Sequence, residues 1–221
     1  MPNRRDRPGA CAILCLALGL CLPATQRAVA ETATRERSWF ATIHASQWIS
    51  SNLADVPRRF GTGDIEMQSA YFVSGQLGHV LVPVLRTDLP LIGRVIDGGS
   101  IEIEGQLGWQ FGQQRHGEAT IALLWRSREL ALPLGEGSVN FAIGEGLSQA
   151  FSRPTLEGRA TGREPRKFLN YLAFEAEFSH PAMPGLTLVP RLHHRSGIFG
   201  LIAPQGTGSN FVGLGLRATL R

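Results

Sequence analysis

A strict alternation of apolar and polar side chains is the feature that most limits how this chain can fold. It is clearest in segment 101–111, IEIEGQLGWQF, whose odd positions are Ile, Ile, Gly, Leu, Trp and Phe. The even positions are Glu, Glu, Gln, Gly and Gln. Successive side chains of a β-strand point to opposite faces, so this period predicts a strand with one apolar and one strongly polar face.

Seven further segments share this period, and turn-rich stretches such as GTGD at 61–64 separate them. No segment holds apolar residues at helical spacing over three turns. The pattern therefore predicts an all-β fold of eight strands in one domain, residues 31–221. The other seven predicted strands are 39–48, 65–78, 119–125, 139–148, 168–178, 186–196 and 210–220.

The first thirty residues have the composition of a secretory signal. Three arginines lie within the first seven residues, an apolar run follows at 10–22, and Ala-Val-Ala at 28–30 fits a cleavage site. We predict that residues 1–30 are a cleaved signal peptide that directs export. All three cysteines lie in this segment, so the mature chain has neither a disulfide nor a thiolate for a metal site or a Cys nucleophile.

The basic net charge of the whole chain gives no indication of nucleic-acid binding. The predicted signal peptide contains four Arg and one Asp, and without them the chain has 18 basic and 17 acidic residues. A mature chain this close to neutral offers no general attraction to a polyanion such as DNA or RNA. We therefore predict no nucleic-acid partner.

Eight strands of about ten residues, each with one apolar face, are typical of an outer-membrane barrel whose apolar band faces lipid. Glu102 and Glu104 share the polar face of one strand, and Glu175 and Glu177 that of another. We interpret both pairs as parts of interior salt-bridge networks rather than as glycosidase-type acid pairs. The predicted fold is an eight-stranded antiparallel up-and-down transmembrane β-barrel, although soluble barrels and sandwiches show the same alternation.

Three polar side chains fall on the predicted lipid-facing wall. His194 and Ser196 occupy the same alternate positions as the leucines of segment 186–196, and Asn210 those of the leucines of segment 210–220. The two strands are joined by one loop and should pair as a hairpin, which brings the three side chains together near the outer leaflet. Polar groups facing lipid cost free energy, so the cluster indicates a functional site.

A Ser nucleophile, a His base and an orienting third group are the parts of acyl-transfer catalysis. The adjacent His193 should face the lumen and make an interior hydrogen bond.

The segment His194-Arg195-Ser196, followed by a glycine-rich loop and a short closing strand, resembles the His-x-Ser motif of the lipid A 3-O-deacylases. These are eight-stranded outer-membrane barrels that hydrolyse the ester-linked 3-hydroxyacyl chain of lipid A. Stretches EIEGQLG at 102–108, GEGLS at 144–148 and NYL at 170–172 also look like proteins grouped as acyloxyacyl hydrolase-like.

The resemblance implies that Ser196 is the nucleophile and His194 the base. The family's third member is a Glu roughly a dozen residues after the Ser, and the matching region here offers Asn210 instead. An Asn that follows the Ser in the family is replaced by Gly197. Backbone N–H groups of Gly197 or Gly200 would then have to bind the oxyanion.

These observations predict a serine esterase of the cell outer membrane. The resemblance implies that it would remove an ester-linked 3-hydroxyacyl chain from lipid A in the surrounding lipopolysaccharide leaflet, with neither a metal nor an organic cofactor. Two alternatives stay open: a non-enzymatic structural barrel of the outer membrane, and a soluble periplasmic β-barrel that binds an apolar ligand. The sequence also leaves open which acyl chain is cut and whether the protein forms a homodimer.

Overall fold

The computed structural model of the protein describes residues 38–87, 91–133, 135–204 and 206–220, and the predicted signal peptide at 1–30 lies outside them. Strands dominate these residues, and the helices between them are short. The strands are β1 (Trp39–Ile49), β2 (Met67–Val82), β3 (Ser100–Gly112), β4 (His116–Arg126), β5 (Leu130–Ala131), β6 (Ser138–Ala150), β7 (Phe168–Ser179), β8 (Leu186–Ser196) and β9 (Gly208–Leu220). The helices are α1 (Val56–Thr62), α2 (Gly93–Ile96) and α3 (Thr155–Thr161), with 3-10 turns at Leu53–Asp55 and Ile198–Gly200.

The strands close into an eight-stranded antiparallel barrel. Each long strand pairs with the next along the chain, β4 pairs directly with β6, and β1 pairs with β9. The two-residue β5 only extends the ladder at the start of β6. The predicted all-β fold and its eight strands are confirmed. The structure adds four residues to the end of the predicted second strand, which runs to Val82 rather than to Gly78.

The alternation seen in the sequence separates the outside of the barrel from its lumen. Ile43, Leu107 and Leu123 on the outer wall are more than half exposed. The residues that alternate with them along each strand face inward, and most of these are buried. Leu214 and Leu216 are likewise exposed, on the outer face of β9. The barrel thus has an apolar exterior and a polar interior, the reverse of a soluble ligand-binding barrel.

Buried arginines and glutamates fill the half of the lumen nearest the start of β1 and the end of β9. Each arginine contacts glutamates from more than one strand, so the network ties opposite walls together. Its ion pairs are Arg126 with Glu102 (3.1 Å), Glu175 (2.6 Å) and Glu177 (3.0 Å), Arg191 with Glu104 and with Glu175 (2.8 Å), and Arg217 with Glu102 (3.1 Å) and Glu177 (3.6 Å). The predicted interior salt-bridge networks are confirmed.

A second polar cluster surrounds Glu118 in the other half of the lumen. The carboxylate of Glu118 accepts hydrogen bonds from Gln110 at 2.6 Å and Ser148 at 2.8 Å, and it lies 2.9 Å from Nε2 of His193. This confirms the predicted interior hydrogen bond of His193. A cavity of about 10 Å³ beside His193 and His44 has room for roughly one water molecule. The lumen is therefore packed with side chains.

The loops divide between the two rims. The distal rim, as we call it, carries the loops 50–66, 113–115, 151–167 and 197–207, whereas the proximal rim carries 83–99, 127–137 and 180–185. β1 begins at the proximal rim and β9 ends there. Among the described residues, no helix has both the length and the apolar character needed to cross a bilayer.

Candidate functional site

The β8–β9 hairpin brings the predicted site residues to the distal rim. His194 stands directly opposite Asn210, and Ser196 opposite Gly208 at the end of the ladder. The residues on either side of them in β8, including Arg195, point into the lumen and are buried, so His194 and Ser196 belong to the outer wall. The loop 197–207 between the strands is short enough to fix this register.

A chain of two hydrogen bonds fixes the orientation of the His194 ring. Nδ1 of His194 lies 2.6 Å from Oδ1 of Asn210, and the Asn210 amide N–H donates to the Ser51 carbonyl at 2.5 Å. Because a carbonyl can only accept, the Ser51 contact leaves the Asn210 oxygen facing the ring, and the ring must carry its proton on Nδ1. Nε2 of neutral His194 is then the basic nitrogen. Asn210 is only 6% exposed, so this arrangement is shielded from solvent.

Ser196 follows His194 at the next position on the same face of β8. Two residues of a strand span about 6.6 Å, which places both side chains on one patch of the wall. Within the described ranges, no hydrogen bond joins the Ser196 hydroxyl to the His194 ring. The predicted nucleophile and base are therefore neighbours on the outer wall, without a hydrogen bond between them in the described structure.

Asn170 is a polar neighbour of Ser196 that the sequence reasoning did not include in the site. It stands opposite Ser196 on β7, on the outer face that also carries Leu172 and Phe174. Directly opposed residues have Cβ atoms about 5 Å apart, so the amide of Asn170 lies within reach of Ser196. Although it faces outward, Asn170 is only 4% exposed. The sequence pattern could have identified it, because Asn170 occupies one of the alternate positions that apolar residues otherwise hold in its strand, as His194 does in β8.

The loop 197–207 folds back on its own first residue. The Gly197 carbonyl accepts N–H groups from Gly200 at 3.3 Å, Ile202 at 3.0 Å and Ala203 at 3.3 Å. A Cβ at Gly197 would lie 2.2 Å from the Ala203 oxygen, so this tight fold requires glycine. The Gly200 N–H already donates to the Gly197 carbonyl, and an oxyanion would have to replace that hydrogen bond in order to bind there. The oxyanion roles of Gly197 and Gly200 stay predictions.

The tip of this loop combines exposure with backbone strain. Phe199 is 94% exposed and Leu201 81% exposed. Ile198 and Phe199 have φ angles of 47° and 51°, in the left-handed region that branched and bulky residues rarely adopt. Strained backbone of this kind often occurs at ligand-binding and catalytic loops.

Glu157 of helix α3 supports the hairpin from inside the barrel. Its carboxylate accepts hydrogen bonds from Arg195 at 2.5 Å and from Ser209 at 2.8 Å. Arg195 lies between His194 and Ser196 in the chain, and Ser209 directly precedes Asn210. One buried carboxylate thus holds both strands of the site from the lumenal side. Burial raises the pKa of the Glu157 carboxyl, and the positive charge of Arg195 opposes this rise.

The contacts of Glu157 were not predictable from the sequence, because α3 lies 34 residues or more from Arg195 along the chain. Packing of the neighbouring residue Leu156 explains how the helix reaches the lumen. Leu156 belongs to a buried cluster with Trp48, Phe72 and Phe211, which closes the barrel below the distal rim. The helix is anchored by this apolar contact, and its carboxylate is thereby directed at Arg195.

We expect Glu157→Ala to destabilise the fold by about 3–5 kcal/mol, because it leaves the buried Arg195 charge with fewer partners. Urea unfolding in detergent, followed by fluorescence of the four tryptophans, measures the loss. Glu164→Ala is the matched control, since Glu164 is an exposed carboxylate of the same loop whose pairing with Arg153 spans 3.7 Å. Equal stability of the two variants would contradict the supporting role of Glu157.

The chain matches no protein-family model and no curated protein. It superposes on the crystal structure of the outer membrane enzyme PagL with a TM-score of 0.50 at 12% identity, over 81% of this chain and 99% of that one. The N-terminal barrel domain of Pseudomonas aeruginosa OprF aligns with a TM-score of 0.44 at 8% identity, over 83% of this chain and 98% of that one. For Neisserial surface protein A the values are 0.43 and 8%, over 82% and 97%. By the superposition on PagL, the chain has the fold of an outer-membrane β-barrel protein.

Proposed function

We propose that the protein is an outer-membrane hydrolase that removes an ester-linked 3-hydroxyacyl chain from lipid A. The signal peptide at 1–30 would direct its export. Insertion of the apolar outer wall into the outer membrane would place the distal rim in the lipopolysaccharide leaflet. The proposal combines the His-x-Ser resemblance with the outer-membrane barrel fold.

The observation that carries the proposal is the 2.6 Å contact between His194 and Asn210 on the outer wall, with Ser196 next to the ring on the same face. A histidine held by an amide on an apolar wall has no evident use in folding, because its polar atoms face the phase that solvates them least. It is well placed to act on an ester in the surrounding lipid.

In the proposed reaction, the Ser196 hydroxyl attacks the ester carbonyl carbon while Nε2 of His194 takes its proton. A C–O bond forms to Ser196, and the tetrahedral intermediate collapses with loss of the sugar hydroxyl, which receives the proton from His194. Water then hydrolyses the acyl-enzyme by the same steps and releases a 3-hydroxy fatty acid. Asn210 holds the ring throughout, and the amide of Asn170 is a candidate oxyanion donor beside Ser196.

The exposed tip of the 197–207 loop supports a substrate drawn from the membrane. The side chains of Phe199 and Leu201 are almost fully exposed. Apolar side chains at a barrel rim are more stable in lipid than in water. We propose that this tip enters the lipid layer and covers the acyl chain being cut.

A second candidate is a non-enzymatic outer-membrane barrel. It is favoured by the unformed hydrogen bond between Ser196 and His194 and by an amide where the resembled family has a carboxylate. The soluble ligand-binding barrel, by contrast, has no support in the structure, because side chains fill the described part of the lumen.

Mass spectrometry of lipid A from cells with and without the protein tests the proposal. We expect the protein to lower the mass of lipid A by one 3-hydroxyacyl group, with release of the corresponding free acid. Cells that express Ser196→Ala to the same level serve as the control for effects of the barrel alone. Identical lipid A from all three cultures would favour the non-enzymatic barrel.

A further inference from the structure

The two rims of the barrel differ in charge. By sequence, the loops of the distal rim carry eight Arg or Lys and five Asp or Glu, whereas those of the proximal rim carry three Arg and four Asp or Glu. One of the five distal carboxylates is Glu157, which points into the lumen and pairs with Arg195. The distal loops therefore carry an excess of positive charge, and the proximal loops do not.

Most of this positive charge comes from one segment, the loop 151–167 between β6 and β7. It carries five cationic residues, all of them exposed, and its one outward carboxylate, Glu164, lies 3.7 Å from Arg153. Arg159 donates a hydrogen bond to the Gln113 carbonyl at 3.0 Å, which helps to hold its guanidinium at the rim. The cations of this segment are Arg153, Arg159, Arg163, Arg166 and Lys167.

This cationic segment borders the candidate site. Nε of Arg163 lies 3.8 Å from the position that a Cβ would occupy at Gly206, so Arg163 is next to the 197–207 loop. The Lys167 carbonyl accepts a hydrogen bond from Arg195 at 2.9 Å. Lys167 also precedes Asn170, the strand partner of Ser196, by three residues, or about 10 Å of extended chain.

We propose that the exposed cations of loop 151–167 bind phosphate groups of an anionic glycolipid in the outer leaflet. This inference rests on the proposed function for its orientation, because it requires the distal rim to face that leaflet. Guanidinium groups bind phosphate oxygens in pairs of parallel hydrogen bonds, and several on one short loop can share one headgroup. Phosphate bound here would place the attached sugar and its acyl esters beside Ser196.

Binding of purified lipid A to the detergent-solubilised barrel tests this inference. The variants carry Ser196→Ala so that hydrolysis cannot alter the ligand. We expect Arg163→Glu/Arg166→Glu/Lys167→Glu to weaken binding of phosphorylated lipid A by about tenfold at low salt, with a much smaller difference in 0.5 M salt. Binding of enzymatically dephosphorylated lipid A should not change.

The proximal rim supplies a matched control. Arg86→Glu/Arg94→Glu/Arg128→Glu makes the same change of charge on three exposed arginines of the other rim, and we expect it to alter binding by less than about twofold. Equal effects of the two triple variants, or equal weakening for both forms of lipid A, would overturn the inference. Displacement of lipid A by micromolar inorganic phosphate would also overturn it and assign the loop to free phosphate.

These outcomes are separate from those of the proposed function. If wild-type protein releases no hydroxy fatty acid yet binds phosphorylated lipid A through this loop, the hydrolase proposal fails and the binding surface stands. If the wild-type protein hydrolyses lipid A and the loop variant binds it normally, the binding inference fails and the hydrolase proposal stands.

Discussion

Replacement of Ser196 by Ala should abolish hydroxy fatty acid release from lipid A while leaving the barrel folded. Loss of the nucleophile from a working Ser–His site lowers turnover by several orders of magnitude, on the order of 10⁴–10⁶. The substitution removes one hydroxyl that makes no hydrogen bond to His194, so it should cost little stability. His194→Ala should lower activity to the same extent, because nucleophile and base act as a unit. Release of fatty acid from purified lipid A measures both.

The outer wall provides controls for both substitutions. Ser69 is an exposed serine on the outer face of β2, also near the distal rim, and Ser69→Ala should leave activity unchanged. His79 also faces outward, with its ring centroid 4.7 Å from that of Trp39 in a tilted arrangement, and His79→Ala should likewise retain activity. Activity that survives in Ser196→Ala, or that falls equally in the control variants, would remove Ser196 from the role of nucleophile.

Replacement of Arg126 by Met should destabilise the barrel by about 3–5 kcal/mol. Arg126 is fully buried and pairs with Glu102, Glu175 and Glu177, so its removal leaves buried carboxylates with too little positive charge. Met roughly retains the volume of the side chain, and the loss therefore reports charge rather than a cavity. Urea unfolding measured by tryptophan fluorescence gives the value, and the exposed Arg128→Met is the control.

A second substitution separates charge from packing. Arg126→Met combined with Glu102→Gln removes one positive and one negative charge, and it should recover a substantial part of the lost stability. A double variant no more stable than Arg126→Met would indicate that the shape of Arg126, rather than its charge, holds this part of the lumen.

The two-residue alternation of apolar and polar side chains was enough to predict the barrel, because each strand has one face on the apolar exterior and the other in the polar lumen. The same phase placed His194, Ser196 and Asn210 on the outer wall, and the single connecting loop predicted their hairpin. The pairing of His194 with Asn210 follows from register alone. Sequence reasoning succeeds here because all these contacts are local.

The contacts that it did not predict are long-range. The Ser51 carbonyl meets Asn210 only because β1 and β9 close the barrel, and Glu157 meets Arg195 only because α3 turns into the lumen. The Ser51 contact also gives a reason for an amide at position 210. Asn can accept from the ring and donate to the carbonyl, whereas a carboxylate would face the carbonyl with nothing to donate.

The packed lumen has a consequence for permeation. An ion or solute that entered from either rim would meet buried guanidinium and carboxylate groups bonded across the barrel, and the cavity beside His44 and His193 holds roughly one water molecule. Among the described residues, these ion pairs cross the path that a column of water would take through the lumen. We therefore expect the protein to pass no ionic current when it is reconstituted in a planar bilayer, so that a ligand would have to meet it at the outer wall or at a rim.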